Sequence, residues 1–440
     1  MINTYTLSEL SPEELTRIKK RSETDIQGAL ALAAEVIGEI KTQGDAAVVK
    51  YARKFDYAGA TAGTLKVTQE EFDYARATLD PKLKRAVETA HANILRFHER
   101  QMPEEMWMTE LGPGILAGEK ITPIVSAGLY VPRGKGSFPS VMLMLSIPAM
   151  VAKVEKVIVC TPPGEDGTID AASLYAAELC GVKNVFKLGG IQAIAAMAIG
   201  TDTVPKVSKI LGPGNTYVTA AKRLLFGTVD VGLPAGPSEA IILADEHADP
   251  RIAALDLLIE AEHGPDSAAL LVTHSVQVAE GAKAALAGFL EDLPAQRRGF
   301  CETVLSGYGG IMLTSSLEES FAFVNDYAPE HLEILVEDPL GALGKIKNTG
   351  EVLLGKHTPI SIANYCLGLN AILPTGAFAK SYSSVSLFDF LKRTGVGYLT
   401  REGFDSLKET TAVLAEYEGF ATHAQAVLKR EALLDTKADA

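Results

Sequence analysis

Glu330 and His331 are the two neighbouring residues best suited to acid–base chemistry. They lie where a helical pattern, ESFAFVNDYAP, meets a strand pattern, HLEILVED. A carboxylate and an imidazole at such a junction can act as two bases in one site. Because the ordinary pKa of histidine is about 6.5, His331 could be a neutral general base near pH 7. A surface glutamate beside a half-buried histidine explains the same pair equally well.

A helix predicted over residues 250–263 carries a second set of candidate groups. Asp256, Glu260 and His263 are spaced i, i+4 and i+7 and therefore share one face. A carboxylate and an imidazole three residues apart can bind one divalent metal ion. The spacing alone favours a solvated acidic face. The polar turn EHGPD that follows favours a site that opens there.

Three glycine-containing turns follow predicted strands. They are Tyr130–Gly136, Leu188–Gly190 and Gly212–Gly214. Such a turn before a helix can bind an anion, because free N–H groups and the helix dipole point outward. No GxGxxG sequence is present, so a standard dinucleotide fingerprint is absent, and each turn taken singly is more often structural.

Alternating strand and helix patterns carry these groups. One series of them begins near residue 121, and a second begins near Pro237. Buried strands joined by helices predict an α/β fold with parallel sheets, right-handed crossovers and ligands at the carboxyl ends of the strands. The first 55 residues read as helices, and the chain after residue 385 reads as mostly helical and polar.

Composition excludes several classes of protein. The chain has 440 residues, 41 Lys+Arg and 55 Asp+Glu, which gives a net charge of −14. Nucleic acid is not the expected partner, because phosphate binding requires a basic face. We expect no membrane partner and a cytoplasmic location, since no apolar run reaches roughly 18 to 20 residues and the first residues are polar. The four cysteines lack CxxC spacing and are expected to be reduced.

Several long segments resemble the histidinol dehydrogenase family. They are GLYVP, LGGIQAIAAMAIGT, GPGNTYVTAAKRLLFG, PAGPSEAIILAD, EAEHGPDS and APEHLEI, with weaker matches at ANYCLGLNAILPT and EYEGFATHA. The resemblance implies an enzyme that requires NAD and zinc and forms a homodimer with a shared active site. It implies an α/β fold of two Rossmann-like parallel-sheet domains, one inserted in the other, with small helical terminal segments.

The resemblance also implies domain boundaries. An N-terminal segment would cover residues 1–24, and a C-terminal helical dimerisation segment would cover 386–440. The larger α/β domain would combine 25–129 with 238–385. The inserted NAD-binding domain would cover 130–237.

The family's functional positions can be carried over residue by residue. NAD contacts match Tyr130, Gln192 and Asn215, which agrees with the three glycine-containing turns. Substrate contacts match Ser238, His331 and Glu418. The catalytic bases match Glu330 and His331. Zinc ligands match Glu260, His263, Asn364 and His423, the last supplied across the dimer.

The reaction that the resemblance implies is the oxidation of L-histidinol to L-histidine, a step of histidine biosynthesis. Two successive hydride transfers to NAD pass through a bound aldehyde. His331 would take the alcohol proton in the first step, and Glu330 would activate water on the aldehyde in the second. Zinc would orient and polarise the substrate as a Lewis acid.

The sequence departs from the family at four positions. Glu260 stands where the family has Gln, and Asn364 stands where it has Asp, so the formal ligand charge of −1 is kept. Ala371 replaces a histidine near the reacting end of the substrate, and Arg133 replaces a glycine. Loss of a hydrogen-bonding group can change substrate selectivity by orders of magnitude. The arginine could meet an anionic cofactor or substrate, or be solvated.

Three other functions fit parts of the pattern. The first is a paralogue that oxidises a different amino alcohol or polyol, for example an anionic one. The second is a catalytically inactive binding protein of the same fold, which the intact Glu330–His331 pair argues against. The third is an aldehyde dehydrogenase with Cys301 as nucleophile, but GFCETVL contains no base or oxyanion partner.

Overall fold

The computed structural model describes residues 2–21, 26–133 and 136–435. The chain forms two compact units. A large unit comprises Met1–Met102 and Ile124–Phe390, and a small unit comprises Pro103–Pro123 and Leu391–Ala440.

The strands of the described residues are numbered in chain order. They are β1 (Thr4–Thr6), β2 (Met106–Gly112), β3 (Ile115–Pro123), β4 (Ser126–Tyr130), β5 (Lys156–Thr161), β6 (Val185–Lys187), β7 (Lys209–Leu211), β8 (Glu239–Ala244), β9 (Ala268–Thr273), β10 (Gly310–Leu313), β11 (His331–Leu335), β12 (Glu351–Leu354) and β13 (Leu391–Leu399).

The α-helices are numbered in the same way. They are α1 (Pro12–Lys20), α2 (Gln27–Gln43), α3 (Asp45–Phe55), α4 (Gln69–Thr78), α5 (Pro81–Arg100), α6 (Pro139–Val151), α7 (Ala171–Leu179), α8 (Gly190–Ile199), α9 (Thr216–Leu225), α10 (Pro250–Ala261), α11 (Val276–Glu291), α12 (Ala295–Ser306), α13 (Leu317–Tyr327), α14 (Pro339–Ala342), α15 (Ile360–Tyr365), α16 (Arg401–Tyr417) and α17 (Ala421–Asp435).

Two parallel sheets form the large unit. One has six strands in the order β1-β10-β9-β8-β11-β12, and the other has four in the order β6-β5-β4-β7. All residues of β8 and β9 are buried, as expected when helices cover both faces of a sheet. The strands of the smaller sheet lie between β1 and β8 in sequence. The predicted α/β fold with two parallel sheets, one inserted in the other, is confirmed.

The helices of residues 27–100 pack on the four-stranded sheet's side of the large unit. Helix α2 contacts α8 and α9, and α5 contacts α6 and α7. The domain boundaries implied by the resemblance, which group residues 25–129 with 238–385, stay a prediction. The apolar stripe of a helix shows that it packs, but it does not show which sheet receives it. The predicted boundary after residue 24 falls outside the described residues.

Each terminal segment contains one strand in addition to the helices predicted for it. Thr4–Thr6 form an edge strand that pairs in parallel with β10. In the small unit, β13 pairs antiparallel with β3, which pairs in turn with β2. Both added strands are partly exposed and lack a clear alternation of apolar residues, so the sequence carries little strand signal there. Among the described residues, every helix is too short or too polar to span a lipid bilayer.

Gly212 and Gly38 provide a test of the backbone described here. Gly212 has φ +123°, and a Cβ there would collide with the carbonyl oxygen of Tyr130. We expect Gly212→Ala to lower the free energy of unfolding by about 1 to 3 kcal/mol. Gly38 lies exposed in α2 with open space around its Cα, so Gly38→Ala should raise the free energy of unfolding by about 0.5 to 1 kcal/mol. Urea unfolding of both variants measures the two changes in the free energy of unfolding. Equal changes in the two variants would contradict the backbone conformation described for Gly212.

Candidate active site

Glu330 and His331 lie at the junction of α13 and β11. Ala328 directly follows α13 and has left-handed backbone angles, and His331 is the first residue of the strand. Only 7% of Glu330 and 3% of His331 is exposed. The alternative of a surface glutamate and a half-buried histidine is therefore wrong.

The imidazole of His331 is surrounded by carboxylates. Its Nδ1 lies 2.6 Å from Oε1 of Glu351. Its Nε2 lies 3.8 Å from Oε1 of Glu330 and 3.9 Å from Oε1 of Glu260. Parallel pairing places His331 opposite Glu351 in the sheet, so strand register creates the first contact. Glu351 thereby holds one ring nitrogen and leaves the other facing two carboxylates.

Burial and charge shift the pKa of both residues. Burial is the main cause that raises the pKa of Glu330, and the charges of Glu260 and Glu239 raise it further. The nearby His331 lowers it, and the resulting pKa is about 8. Burial would lower the pKa of His331, but Glu260, Glu330 and Glu351 outweigh it and raise the pKa to about 10. These charges favour the imidazolium form of the ring. The role of His331 as a neutral general base stays a prediction.

Glu260, His263 and Asn364 come together beside this pair. The Asn364 amide donates from Nδ2 to Oε1 of Glu260 at 2.9 Å, and Nδ1 of His263 lies 3.0 Å from Oε2 of Glu260. Glu260 is 1% exposed, and its ion pairs within the described residues are with His263 and His331. Burial acts to raise the pKa of Glu260, but the two histidines and the hydrogen bonds from His263 and Asn364 bring it down to about 2. The imidazoles and the amide thus favour the charged form of this buried carboxylate.

Ser238 and Glu239 approach the same place from the start of β8. The backbone N–H of Glu239 donates to Oε2 of Glu330 at 2.8 Å. The side chain of Glu239 accepts from the N–H of Gly376 at 2.7 Å, which brings the segment after Ala371 against the site. Ser238 is partly exposed and directly precedes this contact.

The catalytic candidates lie at the amino ends of the strands. Glu239, His331 and Glu351 are the first residues of β8, β11 and β12. The sequence pattern predicted ligands at the carboxyl ends, whereas these site residues lie at the opposite end of the six-stranded sheet. The loops that enter these strands, rather than the loops that leave them, bring the acidic side chains together.

The predicted NAD positions lie at the carboxyl ends of strands in the four-stranded sheet, as the pattern predicted. Tyr130 ends β4, and its hydroxyl accepts from the N–H of Gly190 at 3.1 Å. Nε2 of Gln192 donates to Asp56 at 2.8 Å. Asn215 caps α9, where its Oδ1 accepts from two backbone N–H groups.

Arg133 lies in the turn that follows Tyr130. Its guanidinium donates a hydrogen bond to the carbonyl of Thr168 at 3.3 Å, so part of its hydrogen-bonding capacity is used within the large unit. Gly134 and Lys135 of the same turn fall outside the described residues.

Glu418 and His423 belong to the small unit. Glu418 directly follows α16, and His423 lies in the first turn of α17 with its ring 5.2 Å from that of Phe420. Both side chains are exposed.

A second group of possible metal ligands lies just after β8. Ligand atoms of Asp245, Glu246 and His247 all lie within 4.8 Å of one another. The carboxylate of Asp245 already accepts from the backbone N–H groups of His247 and Glu337. These residues were not among the metal ligands predicted from the sequence.

Sequence reasoning missed Glu239, Glu351 and Asp56. A usable signal exists for the first two. Each is a glutamate directly before a short apolar run, AIILA or VLL, and a charge at the start of a buried strand requires a partner. Asp56 carries no comparable local signal.

Known proteins resemble this chain along nearly its whole length. The family model described as histidinol dehydrogenase matches residues 19–431. A curated protein named histidinol dehydrogenase from Synechocystis sp. is 59% identical over 428 residues, covering 97% of this chain and 99% of the relative. The chain belongs to the histidinol dehydrogenase family. The predicted family and the predicted dehydrogenase class are confirmed.

Two further relatives extend the comparison. A protein named histidinol dehydrogenase homolog from Cereibacter sphaeroides is 54% identical, covering 97% of each chain. The crystal structure of histidinol dehydrogenase from Elizabethkingia anophelis matches with a TM-score of 0.93 and 35% identity, covering 99% of each chain. The aldehyde dehydrogenase alternative has no support in the site, since Cys301 is fully buried and burial raises the pKa of its thiol to about 12.

The contact between His331 and Glu351 leads to a prediction. Removing the charge of Glu351 should lower the pKa of His331 in zinc-free protein, because that charge stabilises the imidazolium. NMR titration of labelled histidine in Glu351→Gln measures it, with the signal assigned from His331→Asn. Glu337→Gln, at an exposed position beyond β11, is the matched control. A His331 titration that is the same in Glu351→Gln and wild type would refute the contact.

Proposed function

We propose that this protein is a zinc- and NAD-dependent dehydrogenase that oxidises a small polar primary alcohol through the aldehyde to the acid by two hydride transfers. L-histidinol is the proposed substrate and L-histidine the product. Membership of the histidinol dehydrogenase family supports this reaction. The observation that carries it is the buried cluster in which Nε2 of His331 lies 3.8 Å from Glu330 and 3.9 Å from Glu260.

The residues of the cluster fit a zinc ion. Glu260 offers a buried, charged oxygen and His263 an imidazole nitrogen. Asn364 turns its NH₂ group toward Glu260, and a flip of this side-chain amide would present its oxygen to the ion. Zinc binds oxygen and nitrogen ligands of these kinds. A divalent cation would also offset the negative charge of the buried Glu260 carboxylate. Bound zinc would act as a Lewis acid on the substrate oxygen. His423, from the small unit of a second chain, is the proposed fourth ligand.

The four-stranded sheet is the proposed site of NAD, which would accept the hydride. Tyr130, Gln192 and Asn215 lie at or just beyond the carboxyl ends of its strands, where ligands of open parallel sheets bind. Asp56 fixes the amide of Gln192, since an ionised carboxylate only accepts hydrogen bonds and therefore selects the NH₂ group.

Glu330 and His331 would act as bases in different half-reactions. His331 is oriented by Glu351, so that its Nε2 faces the side where Glu330 and Glu260 lie. A positive ligand beside Glu260 would lower the pKa of His331 and make that nitrogen available to the alcohol proton. Glu330, with a pKa of about 8, lies near the value suited to a general base for water attack on the aldehyde. Burial of both groups argues against a merely binding role.

The altered substrate position supports one alternative. Ala371 supplies a methyl group where an imidazole is usual, and several relatives carry the name histidinol dehydrogenase homolog. A paralogue acting on another amino alcohol or polyol, for example an anionic one, is therefore the second proposal. Reduction of NAD with a panel of alcohols in the presence of zinc decides between the two.

Separate half-reactions give the test of the mechanism. We expect His331→Asn to slow alcohol oxidation by roughly 10²- to 10⁴-fold, the usual contribution of a general base. Glu330→Gln should spare alcohol oxidation and block aldehyde oxidation. Stopped-flow measurement of NADH formation from the alcohol and from the aldehyde separates the steps. Wild-type rates for both variants in both steps would show that the assignment is wrong.

Glu260 and Asn364 are proposed to be a compensating pair of zinc ligands. Glu260→Gln removes the single carboxylate ligand and should weaken zinc binding. Glu260→Gln combined with Asn364→Asp restores the charge, so its zinc affinity should lie closer to that of wild type. Competition with a chromogenic chelator gives the affinities, and sharing one metal predicts a coupling energy of at least about 1 kcal/mol. Independent effects would mean that the two residues do not share a metal.

A homodimer is proposed because the small unit leaves many large apolar side chains exposed. Its exposed large residues include Trp107, Leu111, Tyr398, Leu414, Tyr417 and Phe420. Patches of this kind mark interaction sites. We expect Leu414→Glu with Tyr417→Glu to give a monomer by light scattering and to abolish activity if His423 acts across the interface. A dimer that persists in this variant would place the interface elsewhere. Leu340→Glu, exposed on the large unit, is the control.

A further inference from the structure

Arg21 is a buried cation in the N-terminal arm of the large unit. It directly follows α1, with a φ of 58°, and only 5% of it is exposed. Arginine is rarely buried unless its charge is paired. Neither the family resemblance nor the proposed reaction assigns it a role.

The guanidinium of Arg21 binds the turn that precedes Glu330. Its Nη2 donates to the carbonyl of Tyr327 at 2.6 Å and to that of Ala328 at 3.4 Å. Its Cζ also lies 3.7 Å from the ring centroid of Tyr327. Ala328 has a φ of 53°, which is unfavourable for a residue with a side chain, so this turn requires support from its surroundings.

The same guanidinium reaches the other side of Glu330 through Glu239. Nε of Arg21 lies 3.1 Å from Oε1 of Glu239. That oxygen accepts a hydrogen bond from the N–H of Gly376, and the backbone N–H of Glu239 donates to Oε2 of Glu330. Arg21 therefore contacts both the turn that carries Glu330 and the residue that holds its carboxylate.

We propose that Arg21 is a positioning residue for Glu330 and acts selectively in the oxidation of the aldehyde. The proposal rests on the proposed role of Glu330 as the base of that step. Arg21 itself does not touch His331 in any described contact, so the alcohol step depends on it less.

Both the charge of Arg21 and the planar shape of its guanidinium contribute to holding Glu330 in place. Lysine would keep a positive charge opposite Glu239, but its ammonium group cannot bind two successive carbonyls while also facing the carboxylate, as the planar guanidinium does. Alanine removes every contact and leaves Glu239 buried without its counter-charge, which is costly. The two substitutions should therefore form a graded series.

The experiment compares Arg21→Ala, Arg21→Lys and wild type in the two half-reactions. We expect kcat for aldehyde oxidation to fall about 10- to 100-fold in Arg21→Ala, the scale that small misplacement of a reacting group produces. The kcat for alcohol oxidation and the KM for NAD should change by less than about threefold, which is well below the loss expected for aldehyde oxidation. The kcat of Arg21→Lys for aldehyde oxidation should lie between those of wild type and Arg21→Ala. Added guanidinium ion should restore part of the aldehyde rate in Arg21→Ala but not in the other proteins.

Lys19→Ala is the matched control. Lys19 lies in the same arm and pairs with Asp326 of α13, but that ion pair is on the surface and contributes little. Its half-reactions should match those of wild type. Should Arg21→Ala fail to fold, as judged by circular dichroism, the selective loss must appear in Arg21→Lys.

Three outcomes would overturn the proposal. One is an equal loss of both half-reactions in the Arg21 variants, which indicates a structural role only. Another is an unchanged rate of aldehyde oxidation in Arg21→Lys and Arg21→Ala, when Glu330→Gln measured in parallel blocks that step. In that case Glu330 is the base and only the positioning role of Arg21 is wrong. The third is an unchanged aldehyde rate in Glu330→Gln, which removes the proposed base and the positioning role with it.

Discussion

His331 is buried among three carboxylates, and the site is organised around this concentration of negative charge. Glu351 holds one ring nitrogen, and Glu330 and Glu260 face the other. Burying so many charges is costly unless they are paired. The protein supplies cations from two sides, the imidazoles of His263 and His331 at Glu260 and the guanidinium of Arg21 at Glu239. A divalent ion at Glu260 completes this balance in the proposed function.

The six-stranded sheet makes this arrangement possible. Parallel neighbours β8, β11 and β12 begin at the same edge, with His331 opposite Ala240 on one side and Glu351 on the other. Each strand contributes its first residue, and buried strand interiors hold these positions rigidly. Helix α10 packs against β8 and β9 and brings Glu260 to the cluster from the face of the sheet. A rigid scaffold therefore places side chains from three strands and one helix within a few ångströms.

Local chemistry was predictable from the sequence, and long-range pairing was not. The amino-acid sequence itself shows that Glu330 and His331 are adjacent and that Glu260 and His263 are three residues apart. Two parallel sheets also follow from the alternation of strand and helix patterns. Glu351 is invisible as a partner of His331, because parallel register joins residues 20 positions apart without a local signal. The packing of α2 and α5 on the smaller sheet's helices depends on shape complementarity that an apolar stripe does not encode.

Zinc location tests the account most directly. The measurement is anomalous diffraction at the zinc absorption edge from crystals of the full chain with one equivalent of zinc. We predict one zinc site per chain, with Glu260 and His263 at about 2.0 to 2.2 Å, the usual range for oxygen and nitrogen ligands. Zinc bound at Asp245, Glu246 and His247 instead, or no ordered zinc beside Glu260, would contradict the central claim that the buried charge around His331 is built for a metal ion.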